Sequence, residues 1–149
     1  MTSITRSRTF SAPVSAVWEV LSDFGAISSW APNVDHSCLL EHTGGVAAAG
    51  TTRRVQIGRN TLVERITEWS PPNVLAYAIE GLPRRLGGMS NRWVIATSGP
   101  ATLVMLTSTV QIADNPVARA AERVVCRAMA KQSDAMLDGL AQRVESSRV

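Results

Sequence analysis

The spacing of apolar positions is first strand-like and then helical at the start of the chain. A weak alternation over Ser3–Phe10 predicts a first strand. Helical spacing follows over Val14–Ser22, and Ser11 offers an N-cap hydroxyl in front of it. Ala26–Trp30 then predicts one more short helical turn.

From Val34 onward the spacing changes to alternation, which predicts strands joined by turns. Gly58-Arg59-Asn60 is a sequence that favours a hairpin turn, and Ser98–Ala101 joins a second hairpin. Asn115 and Pro116 begin a last helix that runs to about Glu145. The predicted strands are Val34–His42, Thr51–Ile57, Thr61–Trp69, Val74–Glu80, Asn91–Thr97 and Thr102–Ile112. This order predicts an antiparallel α+β arrangement.

The last helix has an apolar side and a basic side on a helical wheel. We expect the apolar side to face the sheet, and it carries Val117, Ala121, Val124, Val125, Ala128, Gln132, Ala135, Met136 and Gly139. The opposite side carries Arg119, Arg123, Arg127 and Lys131. A solvated face is the expected role of these cations, and an acidic surface or phosphate partner is the alternative.

The composition is that of an ordinary globular domain. The chain has 149 residues, of which 45% are apolar and 18% are charged, so a disordered or low-complexity protein is excluded. One domain over residues 1–149 is the prediction. The formal net charge is +3, but the basic residues are not gathered into one run. We therefore expect no nucleic-acid partner.

Neither a signal peptide nor a membrane-spanning stretch is visible in the sequence. Two cysteines, Cys38 and Cys126, cannot build a disulfide framework, which fits a reducing compartment. We expect a cytoplasmic protein that is a monomer or a homodimer.

Motifs for nucleophilic, phosphate-binding, dinucleotide-binding or metalloprotease chemistry are missing from the sequence, and no cofactor is predicted. His36, Cys38 and His42 share one face of a regular strand. A metal site needs three or four converging ligands, and no carboxylate pattern accompanies these three residues. We interpret the histidines as surface or strand-edge residues, and Cys126 as a small buried hydrophobe.

Several stretches, in this order, resemble the START-like (Bet v 1-like) superfamily, and in particular its bacterial polyketide cyclase/dehydrase and lipid-transport family. They are Phe10–Val14, Val17–Phe24, Trp30-Ala31-Pro32, Gly50-Thr51, Glu64–Pro72 and Leu75-Ala76-Tyr77, and the likeness covers essentially the whole chain. The resemblance implies a helix-grip fold, in which a curved seven-stranded sheet wraps the long C-terminal helix around an apolar cavity. Ala31 stands where the family commonly has Asn, which removes one polar side chain near the end of the pocket.

Alternation along the strands selects the side chains that face the last helix. They are Leu62, Glu64, Ile66, Leu75, Tyr77, Ile79, Asn91, Trp93, Ile95, Val104, Leu106, Ser108 and Val110, joined by Val124, Ala128, Met129, Gln132 and Met136 of the helix. An apolar lining with sparse polar groups is typical of a small-molecule site and equally of a filled core. The resemblance favours the cavity.

Glu64 is the ionisable group of most interest, because a carboxylate that faces an apolar interior must be paired, hydrogen-bonded or protonated. Arg53 or Arg54 lies opposite or diagonal to it across the Gly58–Asn60 turn. A structural ion pair is the favoured interpretation. A polar anchor for a ligand, or a general acid or base, is the alternative.

The leading functional hypothesis is a binding protein for a hydrophobic small molecule of lipid, polyketide or aromatic type, oriented by Glu64, Tyr77, Ser108 and Gln132. The second is a polyketide cyclase or dehydratase that uses Glu64 and Tyr77 as base and acid. The third is a protein-interaction module that uses the outer sheet face, where Leu103 and Met105 lie. The loop Gly81–Gly88, with Arg84 and Arg85, is predicted to be either a gate at the cavity mouth or an ordinary mobile loop.

Overall fold

Strand pairing joins the two ends of the chain in one antiparallel sheet. A computed structural model describes residues 2–41, 48–81, 86–112 and 116–146, without the side chains of residues 86, 87, 112, 116, 118 and 119. The strands are β1 (Thr2–Phe10), β2 (His36–Leu39), β3 (Thr52–Ile57), β4 (Asn60–Ser70), β5 (Val74–Glu80), β6 (Leu86–Ser98) and β7 (Ala101–Ile112). Their spatial order is β1-β7-β6-β5-β4-β3-β2.

Three helical segments accompany the sheet: α1 (Val14–Ser22), a 3-10 helix (Phe24–Ser29) and α2 (Pro116–Ser146). The predicted α+β order is confirmed, and the arrangement is the helix-grip fold that the resemblance implies. None of the helices in the described part of the chain combines the length and the hydropathy of a transmembrane segment.

The bounds of α1 and β5 agree with the sequence prediction, whereas β2 and β6 differ from it. β2 covers only His36–Leu39, because Val34 belongs to a turn in which its N–H donates to the Ala31 carbonyl. β6 begins at Leu86 rather than at Asn91 and pairs with β7 along its length. The N-cap of α1 is Pro13 and not Ser11, whose backbone N–H donates instead to Glu145 of α2.

The filled part of the core lies where α1, the 3-10 helix and the C-terminal half of α2 meet the sheet. Val17 and Leu21 of α1 are buried, and Trp18 contacts Trp69 edge to face with ring centroids 5.0 Å apart. Trp30 meets the fully buried Trp93 in the same way at 5.8 Å. These aromatic contacts attach the helices between β1 and β2 to the middle of the sheet.

The face that α2 turns to the sheet differs from the predicted one. Val117 is 81% exposed, Val124 is 68% exposed, and Ala121 and Ala128 are exposed as well, so their predicted inward placement is wrong. Their counterparts in the core are Met129, Ser133, Met136, Leu137, Leu140, Ala141 and Val144. The observed core residues have larger side chains than the predicted ones, and the free energy gained by burying apolar surface grows with the buried area.

Two exposed ion pairs with β1 accompany this rotation of α2. Arg6 donates two hydrogen bonds to Asp134, and Arg8 pairs with Asp138 one helical turn further along. Arg123, Arg127 and Lys131 are exposed, as expected of a solvated face, and the Arg119 side chain lies outside the described residues. Cys126 is half-buried rather than buried.

Gly139 lets α2 cross the Trp30–Pro32 segment at close range. A Cβ atom at this position would overlap the carbonyl oxygen of Trp30 and would lie 2.8 Å from Cδ of Pro32. The first of these neighbours is backbone, which cannot rotate away. The absence of a side chain at residue 139 is therefore required for this packing.

We predict that Gly139→Ala lowers the free energy of unfolding by about 1–3 kcal/mol, because the added methyl group overpacks the crossing. The sign of the change in the free energy of unfolding is informative, because Gly→Ala in an unconstrained helix interior stabilises a protein by about 1 kcal/mol. Urea denaturation measures the difference, with Gln142→Ala, an exposed position of the same helix, as the control. A Gly139→Ala protein more stable than the wild type would contradict the close crossing.

Candidate functional site

A cavity of about 680 Å³ lies between the sheet, the Ile27–Val34 segment and α2. Its apolar lining consists of Ile27, Val34, Val55, Ile57, Leu62, Ile79, Met89 and Met136. Its polar lining consists of Asn33, Arg59, Asn60, Thr61, Glu64, Asn91 and Gln132. A concave site that combines an apolar wall with placed polar groups is typical of small-molecule binding.

Exposure along β4 shows which end of the cavity opens to solvent. Asn60 and Thr61 are exposed, Leu62 is half-buried, and Glu64 is 6% exposed. The mouth therefore lies at the turn between β3 and β4, and the inner end lies at Glu64.

The structure divides the predicted lining residues into three groups. Leu62, Glu64, Ile79, Asn91, Gln132 and Met136 line the cavity. Ile66, Leu75, Tyr77, Trp93, Ile95, Val104, Leu106, Ser108, Val110 and Met129 are buried but do not line it. Val124 and Ala128 are exposed on α2, so they do not face the interior. That any of these residues binds a ligand stays a prediction.

Sequence reasoning missed the part of the lining that comes from β3 and from the segment before β2. Val55 and Ile57 alternate with exposed or half-buried neighbours on β3, as Leu62 and Glu64 do on β4. The same alternation rule therefore marks them. Ile27, Asn33 and Val34 carry no comparable periodic signal, because they lie in a 3-10 helix and a turn.

A second, larger groove of about 930 Å³ lies at the outside of the Gly139 crossing. Trp30, Pro32, Asp138 and Arg143 line it, and three of these residues are exposed. It is a shallow surface between a helix and a turn and lacks the enclosed apolar wall of the first cavity. The first cavity is accordingly the candidate site.

An ion pair between Arg53 and Glu64 lies at the inner end of the cavity. The two residues are direct partners in the β3–β4 register. Arg53 Nε donates to Glu64 Oε1 at 2.7 Å, and its Nη2 lies 2.7 Å from the same oxygen. Arg53 is 2% exposed. An ion pair between Glu64 and an arginine of the neighbouring strand is thus present, and Arg53 makes it while Arg54 is exposed.

The guanidinium of Arg53 is enclosed by aromatic rings and one carbonyl. Its Cζ lies 3.8 Å from the centroid of the Phe24 ring and 4.6 Å from that of Tyr77. Its Nη1 donates to the Phe24 carbonyl at 2.9 Å. Cation–π contacts and this hydrogen bond offset part of the cost of burying the charge. The pair therefore attaches the 3-10 helix to the sheet.

Only one of the two carboxylate oxygens of Glu64 takes part in this arrangement. Both short contacts from Arg53 end on Oε1. Among the described residues, none donates a hydrogen bond to Oε2, and Glu64 lines the cavity. A carboxylate oxygen is an acceptor only, so the inner end of the cavity offers a ligand an acceptor.

Tyr77 lies beside this pair in a chain of polar side chains that reaches the cavity wall at Asn91. Its hydroxyl oxygen accepts from Asn91 Nδ2 at 3.4 Å and from Trp93 Nε1 at 3.3 Å. Ser108 donates to Asn91 Oδ1 at 2.6 Å and lies 3.4 Å from Ser133. Burial raises the pKa of Tyr77, and the Glu64 carboxylate raises that pKa further. The phenol therefore stays protonated at neutral pH.

The other candidate groups lie partly outside the residues that the structure describes. His36 and Cys38 are exposed on β2, while His42 lies outside the described residues. In the described ranges, no group of three or more His, Cys, Asp or Glu side chains could hold a metal ion. Arg84 and Arg85 also lie outside these ranges, so their role at the mouth stays a prediction.

The outer sheet face carries Leu103 and Met105, as the alternation predicts, and both are half-buried. Their partners on β1, Ser7 and Thr9, are polar, whereas their partners on β6, Val94 and Ala96, are apolar. Ser3 and Thr109 share a hydrogen bond of 2.9 Å, and Arg92 donates to Glu68 at 3.0 Å. The apolar part of this face therefore includes Val94 and Ala96 beside Leu103 and Met105.

Comparison with known families and structures identifies the fold. The family model described as polyketide cyclase / dehydrase and lipid transport matches residues 1–145. The chain belongs to this family. No curated protein matches its sequence.

Solved structures share the fold of this polyketide cyclase/dehydrase family member at low sequence identity. The Zhui aromatase/cyclase from Streptomyces sp. R1128 is 22% identical, with a TM-score of 0.79 over 97% of this chain and 93% of its own. A START superfamily protein from Mycobacterium smegmatis is 15% identical, with a TM-score of 0.78 over 97% of each chain. The di-domain ARO/CYC StfQ from the steffimycin biosynthetic pathway is 12% identical, with a TM-score of 0.82 over 98% of this chain and 51% of its own.

We predict that Glu64→Gln lowers the free energy of unfolding by about 1–3 kcal/mol, because it leaves the buried guanidinium of Arg53 without a countercharge. Glu68→Gln is the matched control, since Glu68 pairs with Arg92 at the surface, where both side chains are at least 42% exposed. That change is expected to cost less than about 1 kcal/mol. Equal losses in the two variants, measured by urea denaturation, would argue against a buried pair.

A second prediction uses the fact that Tyr77 is the only tyrosine of the chain. Its pKa is raised in the folded protein above the ordinary value of 10.0. The stability that this difference contributes is therefore complete below pH 10 and is lost as the pH rises through the folded pKa. Tyrosinate absorbance should appear together with alkaline unfolding. Ionisation near pH 10 with the far-UV circular dichroism unchanged would show that the phenol is accessible.

Proposed function

We propose that this protein binds a hydrophobic small molecule in the cavity between the sheet and α2. The observation that carries the proposal is the enclosed cavity of about 680 Å³, whose apolar wall ends at a buried carboxylate. Membership of the polyketide cyclase/dehydrase and lipid-transport family supports a small apolar ligand.

Apolar burial supplies the affinity in this proposal. A ligand that buries about 300 Å² of apolar surface gains about 7.5 kcal/mol at about 25 cal/mol per Å². Part of that gain is lost to the immobilisation of the ligand. Polar lining groups such as Glu64, Asn91 and Gln132 then orient the molecule rather than hold it.

A polyketide cyclase or dehydratase is the second candidate, and the aromatase/cyclases among the structures of the same fold favour it. Glu64 is the candidate base at the cavity wall. Tyr77 is protonated, but its hydroxyl lies behind the wall and accepts two hydrogen bonds, from Asn91 and Trp93. An acid and a base therefore do not converge at one point of the cavity, and the binding function is the better supported of the two. If the wild-type protein removes water from a polyketide-like substrate and the Glu64→Gln variant does not, the enzyme would be favoured.

The proposed binding site predicts a difference between two neighbouring positions of β4. Leu62 lines the cavity, whereas Val63 points to the other sheet face. We expect Leu62→Trp to fill the mouth and to weaken binding of a fluorescent fatty-acid analogue at least tenfold, measured by titration of the folded protein.

Val63→Trp is the matched control, because it adds the same side chain to the same strand outside the cavity. Its affinity should remain within about twofold of the wild type. Equal affinity in both variants would place the probe elsewhere, and the absence of saturable binding to the wild-type protein would remove the binding proposal.

A further inference from the structure

The polar groups of the cavity are unlike at its two ends, and this difference defines a ligand. Building on the proposed binding function, we propose that the ligand is elongated, with a neutral hydroxyl group that donates to Glu64 at the inner end and an anionic group that pairs with Arg59 at the mouth.

The inner end selects a hydrogen-bond donor. Arg53 Nε donates to Glu64 Oε1 and Nη1 donates to the Phe24 carbonyl. Its Nη2 is buried without a hydrogen-bond partner among the described residues, and Arg53 does not line the cavity, so the ligand does not meet it. What the cavity meets is Glu64, with Oε2 as its unused acceptor. A carboxylate or a carbonyl oxygen placed there would face a second acceptor without a proton between them.

Because the ion pair has no net charge, the inner end favours a neutral donor over an ammonium group. Arg53 and Glu64 are both buried and their charges cancel. A cationic end would leave one uncompensated charge in the same buried region, which is costly. A hydroxyl group donates one hydrogen bond and adds no charge.

The mouth selects an anion. Arg59 is exposed at the β3–β4 turn and lines the same cavity. Within the described residues, no carboxylate forms an ion pair with it. Asp35 approaches the same turn, but it accepts the backbone N–H of Gly58 at 2.8 Å and does not line the cavity.

The distance between the two ends sets the length of the ligand. Residues 60 and 64 lie on one strand, four positions apart, which corresponds to about 13 Å at about 3.3 Å per residue. Between them, Leu62 and its strand partner Val55 give the sheet side of the cavity an apolar wall. The middle of the ligand is therefore apolar, and its polar groups are confined to the two ends.

Four probes can test this assignment by displacement of a fluorescent fatty-acid analogue. One is a hydroxy acid, and each of the other three differs from it at one end. The four are 12-hydroxydodecanoic acid, 12-methoxydodecanoic acid, dodecanoic acid and 1,12-dodecanediol. We expect the hydroxy acid to bind at least tenfold more tightly than the methoxy acid, which keeps the oxygen but cannot donate. We expect it to bind about threefold to tenfold more tightly than the diol, which lacks the anion.

Two variants assign these preferences to the two ends. Arg59→Gln should abolish the preference for the hydroxy acid over the diol, and Arg54→Gln is its control, because Arg54 is exposed on the same hairpin and does not line the cavity. Glu64→Gln should abolish the preference for hydroxyl over methoxy. If Glu64→Gln does not fold, the comparison of hydroxy and methoxy acids on the wild-type protein still decides the inner end.

The outcomes separate this inference from the proposed function. Equal affinities of the four probes for the wild-type protein, or tightest binding by dodecanoic acid, would overturn the ligand assignment and leave the binding function standing. Failure of every probe to displace the fluorescent analogue from a protein that binds it would also overturn the assignment. Failure of the analogue itself to bind would remove the binding function.

Discussion

The rest of the structure depends on one buried ion pair, between Arg53 and Glu64. It joins neighbouring strands by direct cross-strand pairing and reaches the 3-10 helix through the ring and the carbonyl of Phe24. Tyr77 covers the guanidinium from β5. Three parts of the fold therefore meet at a single cation, and removal of the carboxylate alone would leave that cation buried and unpaired. The same carboxylate forms part of the cavity wall, so stability and binding depend on one side chain.

A cavity exists because the large side chains of the core are gathered on the other side of this pair. Trp30, Trp93, Leu137 and Leu140 fill the space around the C-terminal half of α2. The close crossing at Gly139 holds that half of the helix against the Trp30–Pro32 segment. Toward the β3–β4 turn, smaller and more exposed residues line the wall instead. The interior is therefore packed at one end and open to a ligand at the other.

The sequence predicts most of the fold, because alternation and helical spacing are local properties. The bounds of α1 and β5 follow from it directly. An arginine opposite Glu64 across a tight turn follows as well, but the choice of Arg53 over Arg54 needs the strand register. The buried face of α2 does not, because Val117 and Val124 have the same apolar character as residues that are buried further along the helix. Which face is buried depends on the crossing at Gly139 and on the packing of the larger side chains of α2 against the sheet, and both are tertiary contacts.

The candidate site is predicted less completely than the fold. Alternation marks Leu62 and Tyr77 equally as inward-facing, yet Leu62 lines the cavity and Tyr77 lies in the filled core. The difference arises from what packs opposite each residue, since Phe24 covers Tyr77 at a centroid distance of 5.7 Å. Residues such as Ile27 and Val34 enter the lining from irregular segments, for which no periodicity exists.

A crystal structure of the protein with 12-hydroxydodecanoic acid tests the central claim most directly, because it shows whether the carboxylate of the buried pair faces the ligand. We expect an elongated ligand beneath β3 and β4, with its hydroxyl oxygen about 2.6 Å from Glu64 and its carboxylate at Arg59. A cavity closed by side chains, or a ligand seated in the groove at Gly139, would contradict it.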